Sequence, residues 1–344
     1  MKNVLFATTA LVAFAGVASA EATVDFSGEI NAGYNDVIEG GLFWSADLDA
    51  LFTVDLGDNV AVTASATLLS WSQDSSASTA DLDYVEVAYT GGSFTAALKY
   101  GDLGDKGASE YYYSDRDGMA IDVENHDGTE DVRAMVTFGA FGVAVGCDNV
   151  SNGDCDDGFS VGLGATFGSI ELGVGYDEAD SGNSDGGNDE SAETIGVSAD
   201  ATFGAMSVGV SYATAGSDDS IGVAVGYTIS DALSVGAYYA LNNNDDDAYG
   251  VSVDYSAGAL TVGAYYDGVS NGGQDEFGVD ASYAVTDMLT ANAGMFNDGT
   301  TVFYVGIDYA VNDNITATVS YADADEISGP EYKEGISAFI TATF

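Results

Sequence analysis

Basic residues are nearly missing from this sequence: 6 Lys and Arg face 56 Asp and Glu, for a formal net charge of −50. A nucleic-acid partner is excluded, because phosphate binding requires a basic surface. So large a charge is typical of disordered chains, which repel themselves and bury little. Here 46% of the residues are hydrophobic, which is enough for a stable fold. The acids must therefore lie where water or cations solvate them, whether for salt adaptation or to attract cations.

Proline, histidine and recognisable catalytic motifs are also scarce. Proline occurs once, at Pro330, and the only histidine is His126. The sequence contains no HExxH, P-loop or CxxC motif, and His126 has no nucleophile in a G-x-S-x-G setting. We therefore predict that the chain is not an enzyme and carries no cofactor.

The first 20 residues have the three parts of an export signal. Lys2 supplies the positive charge, Val4 to Val17 form a short apolar run, and Ala18-Ser19-Ala20 is a small-x-small cleavage site. The run is too short for a typical membrane span. We predict a cleaved signal peptide over residues 1–20, and a single domain over residues 21–344.

The only cysteines are Cys147 and Cys155. In an exported chain, a close pair favours a disulfide over free thiols or half of a metal site. We predict a disulfide that fixes a loop and has no chemical role.

Hydrophobic residues in the mature chain recur with a period of two, and no continuous run has the length of a membrane helix. Examples are Leu233 to Leu241, Leu260 to Tyr266 and Ile315 to Tyr321, where large apolar residues alternate with small or polar ones. This period places alternate side chains on opposite faces of a strand. Soluble sheets usually protect their edges with charged residues such as Lys, whereas a closed barrel has no edge. Lipid also requires every backbone polar group to be paired, as in a closed barrel.

The connections between these segments are of two kinds. Some are tight and nearly uncharged, including Gly139-Ala140, Gly168-Ser169 and Gly204-Ala205, while others are long and acidic. Bacterial barrels have short periplasmic turns, long external loops and aromatic girdles at both interfaces. The pattern predicts an all-β, closed antiparallel transmembrane barrel with an even strand number. Direct counting gives about 20 strands, from Thr23–Tyr34 and Leu42–Leu56 to Gly335–Phe344.

The last segment alternates Ile336, Ala338, Ile340 and Ala342 and ends on Phe344. It resembles the C-terminal strand of outer-membrane porins, in which the barrel-assembly machinery reads the terminal aromatic residue. Together with the signal peptide and strand pattern, it is similar to general diffusion porins of the alphaproteobacterial, Rhodobacter type. The resemblance implies 16 strands, fewer than we count. It also implies an outer-membrane homotrimer that contacts lipid and passes small hydrophilic solutes and ions.

The stretch from Tyr100 to Glu110 also resembles the start of the family's third external loop, which folds into the barrel and narrows it. Its position after the fifth predicted strand, Phe94–Tyr100, agrees with this. Residues 102–131 form the longest unpatterned segment, and four of the five mature basic residues lie in or beside it. We predict a constriction formed by Lys99, Asp102, Asp105, Lys106, Glu110, Asp115, Arg116, Asp117, Glu124 and Arg133.

Opposed charges at a constriction can orient solutes and filter ions, as charged rings do in channels. The alternative is ordinary ion pairing within an exposed loop, which contributes little. The excess of acids predicts a preference for cations, because a low-dielectric wall focuses the negative potential. Asp115 and Asp117 could also bind Ca²⁺, although their setting lacks the EF-hand pattern.

Two other functions fit parts of the sequence. A substrate-specific outer-membrane channel could use Tyr111-Tyr112-Tyr113 as an aromatic track for sugars. A secreted, acidic, calcium-binding surface protein would share the charge and the export signal, but would not insert into the membrane.

Overall fold

The computed structural model describes residues 21–72, 80–101, 103, 107–121, 123, 130–148, 158–178, 192–243, 246–270, 275–325 and 332–344. Within these ranges, no helix is long and apolar enough to cross a membrane. The predicted signal peptide lies outside the described residues.

Twenty β-strands account for most of the described chain. The first ten are β1 (Glu21–Asn35), β2 (Leu42–Gly57), β3 (Val60–Ser72), β4 (Asp81–Thr90), β5 (Phe94–Gly101), β6 (Glu130–Phe138), β7 (Phe141–Asp148), β8 (Phe159–Phe167), β9 (Ile170–Asp177) and β10 (Thr194–Phe203). The other ten are β11 (Met206–Ala215), β12 (Asp218–Ser230), β13 (Leu233–Asn242), β14 (Ala248–Ala257), β15 (Leu260–Val269), β16 (Glu276–Thr286), β17 (Leu289–Asn297), β18 (Thr301–Asn312), β19 (Ile315–Ala322) and β20 (Gly335–Thr343). A single turn of 3-10 helix, Ser109–Tyr111, lies between β5 and β6.

The strands form one antiparallel sheet that closes on itself. Each strand pairs with its neighbours in sequence, and β20 returns to pair with β1, with Gly33 opposite Phe339. Closure pairs both edges, which satisfies the backbone polar groups in lipid. The predicted barrel and the direct count of about 20 strands are confirmed. The 16 strands implied by the resemblance are too few, because every tight turn that the sequence marks joins two separate strands.

The two faces of the sheet differ as the alternation predicts. In β8, Leu163 and Phe167 are 44% and 51% exposed, whereas Ser160 on the opposite face is buried. A barrel in lipid turns its apolar face outward. The face that carries small and polar residues therefore lines the interior, and we call it the inner face.

Three of the tight turns have glycine at their first position. Gly139, Gly168 and Gly204 have φ angles of +57°, +64° and +62°, a region that hairpin turns require and that glycine adopts without strain. The neighbouring Phe167 and Phe203 are more than half exposed on the apolar face. These rings have the position expected of an interfacial aromatic girdle.

Candidate functional site

The chain between β5 and β6 lies against the inner face. We call its described part, residues 107–121 and 123, the inner segment. Its 3-10 helix contacts β7, β8 and β9, and the rest of the segment reaches as far as β13 and β14. The segment therefore spans the inner sides of eight consecutive strands.

Glycines on the inner face make this close approach possible. A Cβ atom on Gly164 would collide with the ring of Tyr112, and one on Gly142 with its hydroxyl. A Cβ on Gly162 or Gly173 would meet backbone oxygens, those of Ala108 and Tyr112. The inner segment thus rests directly on the backbone of β7, β8 and β9. Burial there raises the pKa of the Tyr112 phenol, with a smaller contribution from Tyr111, so Tyr112 is neutral at physiological pH.

Serines on the same face bind the first half of the inner segment through hydrogen bonds. The Ala108 amide donates to Ser160 Oγ at 3.2 Å, and the Ser114 amide donates to Ser198 Oγ at 3.1 Å. Ser211 donates to the Ser114 carbonyl oxygen. These bonds replace the water that the segment's polar backbone groups lose on burial, as buried amides and carbonyls require.

Arg116 forms an ion pair with the barrel wall. One guanidinium nitrogen, Nη2, lies 2.7 Å from both carboxylate oxygens of Asp200 on β10. The Arg116 side chain is 12% exposed and that of Asp200 is 40% exposed. Gly209 on β11 lies under the guanidinium and Gly222 on β12 lies under the aliphatic stem. Only residues without side chains could accept so bulky a group at these positions.

Asn242 at the end of β13 holds the second half of the inner segment. Its side chain accepts the Ala120 amide at 2.9 Å and donates to the Gly118 carbonyl at 2.8 Å. The Ile121 amide donates to Ser220 Oγ at 3.2 Å. An apolar cluster completes the contact, formed by Tyr113, Ile121, Val123 and Ala213. The segment is therefore fixed along its whole described length.

Lys99 and Arg133 lie side by side on the inner face; their role in a constriction stays a prediction. They are directly opposite each other in the β5–β6 register, and Glu86 of β4 is opposite Lys99. The Lys99 ammonium lies 3.6 Å from the centroid of the Tyr84 ring. The Arg133 guanidinium lies 5.2 Å from that of Tyr111. Aromatic faces thus stabilise both cations, an interaction of about 0.5–2 kcal/mol each.

Glu110, Asp115 and Asp117 are on the inner segment, and the last two are exposed. A cavity of about 460 Å³ lies between the segment and the inner faces of β6–β10. Four carboxylates line it: Glu110, Asp115, Glu171 and Asp200. Arg116 is paired with the last of them, and no Lys or Arg is among the described lining residues, so the lining has an excess of negative charge.

Several predicted site residues lie outside the described residues, namely Asp102, Asp105, Lys106, Glu124 and Cys155. Cys147 ends β7 and is disulfide-bonded; its predicted pairing with Cys155 stays a prediction. In the described part of the chain, no group of three or more His, Cys, Asp or Glu side chains could hold a metal ion. Calcium binding at Asp115 and Asp117 also stays a prediction.

Phe344 lies at the end of the last strand, where its backbone exchanges two hydrogen bonds with Gly28 of β1, at 3.0 and 3.1 Å. Its ring is 56% exposed. The contact fixes the closing seam of the barrel, and the role of Phe344 as an assembly signal stays a prediction.

Sequence reasoning missed the wall partners of the inner segment. Asp200 and Asn242 are separated from it by 84 and 122 residues, so no local pattern connects them. A signal was nevertheless present, since most inner positions of β7–β12 are Gly, Ser or Ala. Such a run of small residues indicates that another part of the chain packs closely against the strands.

Two overlapping parts of the chain, residues 7–221 and 213–326, match the family model described as Gram-negative porin. The chain belongs to the Gram-negative porin family. Porins are channel proteins of the outer membrane, so this porin is a diffusion channel located there and not an enzyme. The family and the closed barrel also set aside a secreted surface protein that does not insert into the membrane.

Among solved structures, the porin is similar to variants of the Rhodopseudomonas blastica porin. A triple mutant shares 14% sequence identity, with 94% of this chain and 100% of that chain covered and a TM-score of 0.48. A second mutant has the same identity and coverage and a TM-score of 0.47. A search of curated proteins finds no match.

Proposed function

We propose that this porin is a general diffusion channel with a preference for cations, and that the inner segment forms its constriction. The observation that carries the proposal is the position of the segment, which crosses the inner face from β7 to β14. A chain in this position occupies cross-section that solutes would otherwise use. Loop residues that only formed surface ion pairs would not be buried against glycines of the wall.

The charges near the inner segment support cation preference. The one basic residue of the inner segment, Arg116, is paired with Asp200. Two of its acids, Asp115 and Asp117, are exposed to water. Lys99 and Arg133 lie against tyrosine rings, and Lys99 is directly opposite Glu86 in the register. The potential in a narrow, low-dielectric channel follows the excess charge, which is negative here.

A sugar-specific channel is the second candidate, and the tyrosines argue against it. Tyr113 is 5% exposed and Tyr112 is packed on glycines, so only Tyr111, at 45%, presents much of its ring to solvent. A single exposed ring cannot form an aromatic track that guides sugars through the channel. In liposome swelling, we therefore expect the uptake of sugars to fall smoothly with size; a saturable rate for one sugar would favour the specific channel.

The rest of the proposal follows the family resemblance. Residues 1–20 are removed on export, the barrel-assembly machinery reads Phe344, and three copies associate in the membrane. These steps prepare the channel and do not affect the test of its selectivity.

Planar-bilayer recording in a KCl gradient tests the proposal. We expect a reversal potential of the sign that indicates K⁺ preference. Asp115→Asn combined with Asp117→Asn is expected to lower the K⁺/Cl⁻ permeability ratio roughly twofold, because it removes two exposed charges at the constriction. Asp231→Asn combined with Asp287→Asn, in two tight turns, removes the same charge elsewhere. Anion preference of the unmodified porin would contradict the proposal.

A further inference from the structure

A second part of the inner face is covered, far along the chain from the first. Tyr332 is 3% exposed, and its ring lies over Gly306 of β18, where a Cβ would collide with it. Its hydroxyl donates to Asp308 at 3.0 Å and accepts the Asn292 side-chain amide at 3.0 Å. The residue is thus fixed on the inner sides of β17 and β18.

Neighbouring groups extend this covered area towards the closing seam. The Tyr332 ring contacts Tyr304 edge-on, with centroids 5.6 Å apart, and Tyr304 stacks on Phe296 at 6.0 Å. The Asn35 side chain donates to the Glu334 carbonyl at 2.7 Å and to Ser337 at 2.8 Å. Inner-face side chains from β17 to β20 are accordingly buried, including Thr318, Ser320 and Ser337.

In the part of the chain that the structure describes, the longest uncovered part of the inner face runs over β1–β5. Among the inner-face side chains described on these five strands, Asn35 at the loop end of β1 is the only buried one. Asp25, Glu29 and Asp47 are exposed there. The inner face of β7–β14 is covered by the inner segment, and that of β17–β20 by Tyr332 and its neighbours. Among the described residues, water and solutes therefore have the most space beside β1–β5.

Two acids of this wall face each other. Glu29 of β1 is directly opposite Asp47 of β2 in the register. Like charges at such positions destabilise a sheet, so the pair is tolerable only where water and counter-ions screen it. This requirement agrees with an uncovered wall beside a water-filled path.

We propose that the permeation path runs along the inner face of β1–β5, and that Glu29 and Asp47 determine its ion selectivity. The inference rests on the proposed cation preference. It assigns part of that preference to acids of the barrel wall, and the rest to the inner segment. Tyr332 and the inner segment displace the path towards this wall by covering the inner faces of β7–β14 and β17–β20.

Glu29→Gln combined with Asp47→Asn tests the proposal in planar bilayers. The K⁺/Cl⁻ permeability ratio is expected to fall roughly threefold, because two charges leave the wall of the path. Asp231→Asn combined with Asp287→Asn removes the same charge from two exposed positions in tight turns, and should leave the ratio unchanged. An equal fall in both double variants, or no fall in the first, would overturn the proposal. If the unmodified porin showed no cation preference, the proposed function would fail instead.

A second measurement uses blockade rather than selectivity. Glu29→Cys introduces a reactive thiol, since Cys147 is disulfide-bonded. A bulky, membrane-impermeant thiol reagent is expected to reduce the conductance of this variant by about half or more. The same reagent on Asp231→Cys should have little effect. An unchanged conductance after complete labelling of Glu29→Cys would also overturn the proposal.

Discussion

Single-channel conductance is expected to rise about threefold when residues 107–121 are replaced by a short Gly-Ser linker, because the channel cross-section then approaches that of the bare barrel. The replaced residues lie on the inner faces of eight strands and include all the described contacts of Arg116 and Tyr112 with the wall. The size limit for sugars in liposome swelling should rise with the conductance.

Correct folding of the linker variant is checked by heat-modifiable mobility on detergent gels. Strand pairing closes the barrel without help from the inner segment, so the variant should still insert into membranes. Its β7–β12 glycines would then face water, at little cost to backbone pairing. A correctly folded variant with the conductance of the unmodified porin would show that the segment does not limit the pore.

Asp200→Ala is expected to have the second-largest effect. It leaves the guanidinium of Arg116, which is 12% exposed, without its carboxylate. Breaking a fully buried pair costs about 3–5 kcal/mol and breaking an exposed one about 0–1 kcal/mol. Since Asp200 is 40% exposed, we expect the substitution to weaken the binding of the inner segment to the wall by about 2 kcal/mol. The measured result should be higher conductance with frequent transitions between levels.

Glu171→Ala is the matched control for this variant. Glu171 of β9 is directly opposite Asp200 in the register and lines the same cavity, so its removal takes the same charge from the same place. It forms no ion pair with Arg116. Steady single-channel levels for Glu171→Ala and fluctuating ones for Asp200→Ala would assign the effect to the ion pair. Equal behaviour of the two variants would assign it to wall charge alone.

The barrel could be predicted from the sequence because its rules are local. A period of two determines which side chains share a face, and short polar or Gly-containing turns mark where the strands reverse. The direct strand count therefore succeeded where the resemblance gave 16. The position of Lys99 beside Arg133 could also be inferred from the sequence, because both lie on strands that flank one long loop.

The contacts of the inner segment could not be predicted in this way. Whether Arg116 binds Asp200 or a loop carboxylate depends on how the segment packs on the wall, and not on spacing along the chain. The same holds for Tyr332. A single tyrosine before the last strand belongs to no sequence pattern that would indicate its contacts. Periodicity identifies the inner face, but it does not show which parts of that face are covered.

Cysteine cross-linking in intact outer membranes tests most directly whether the inner segment lies on the barrel wall. The Ser114 amide is 3.1 Å from Ser198 Oγ, so the two residues are adjacent, and Ser114→Cys combined with Ser198→Cys tests this proximity by disulfide formation. We predict that this pair cross-links rapidly and leaves conductance nearly unchanged, whereas Ser114→Cys with Ser252→Cys, on the inner face of β14, does not cross-link. Failure of the first pair to cross-link, or equal cross-linking of both, would contradict the position of the inner segment and the constriction built on it.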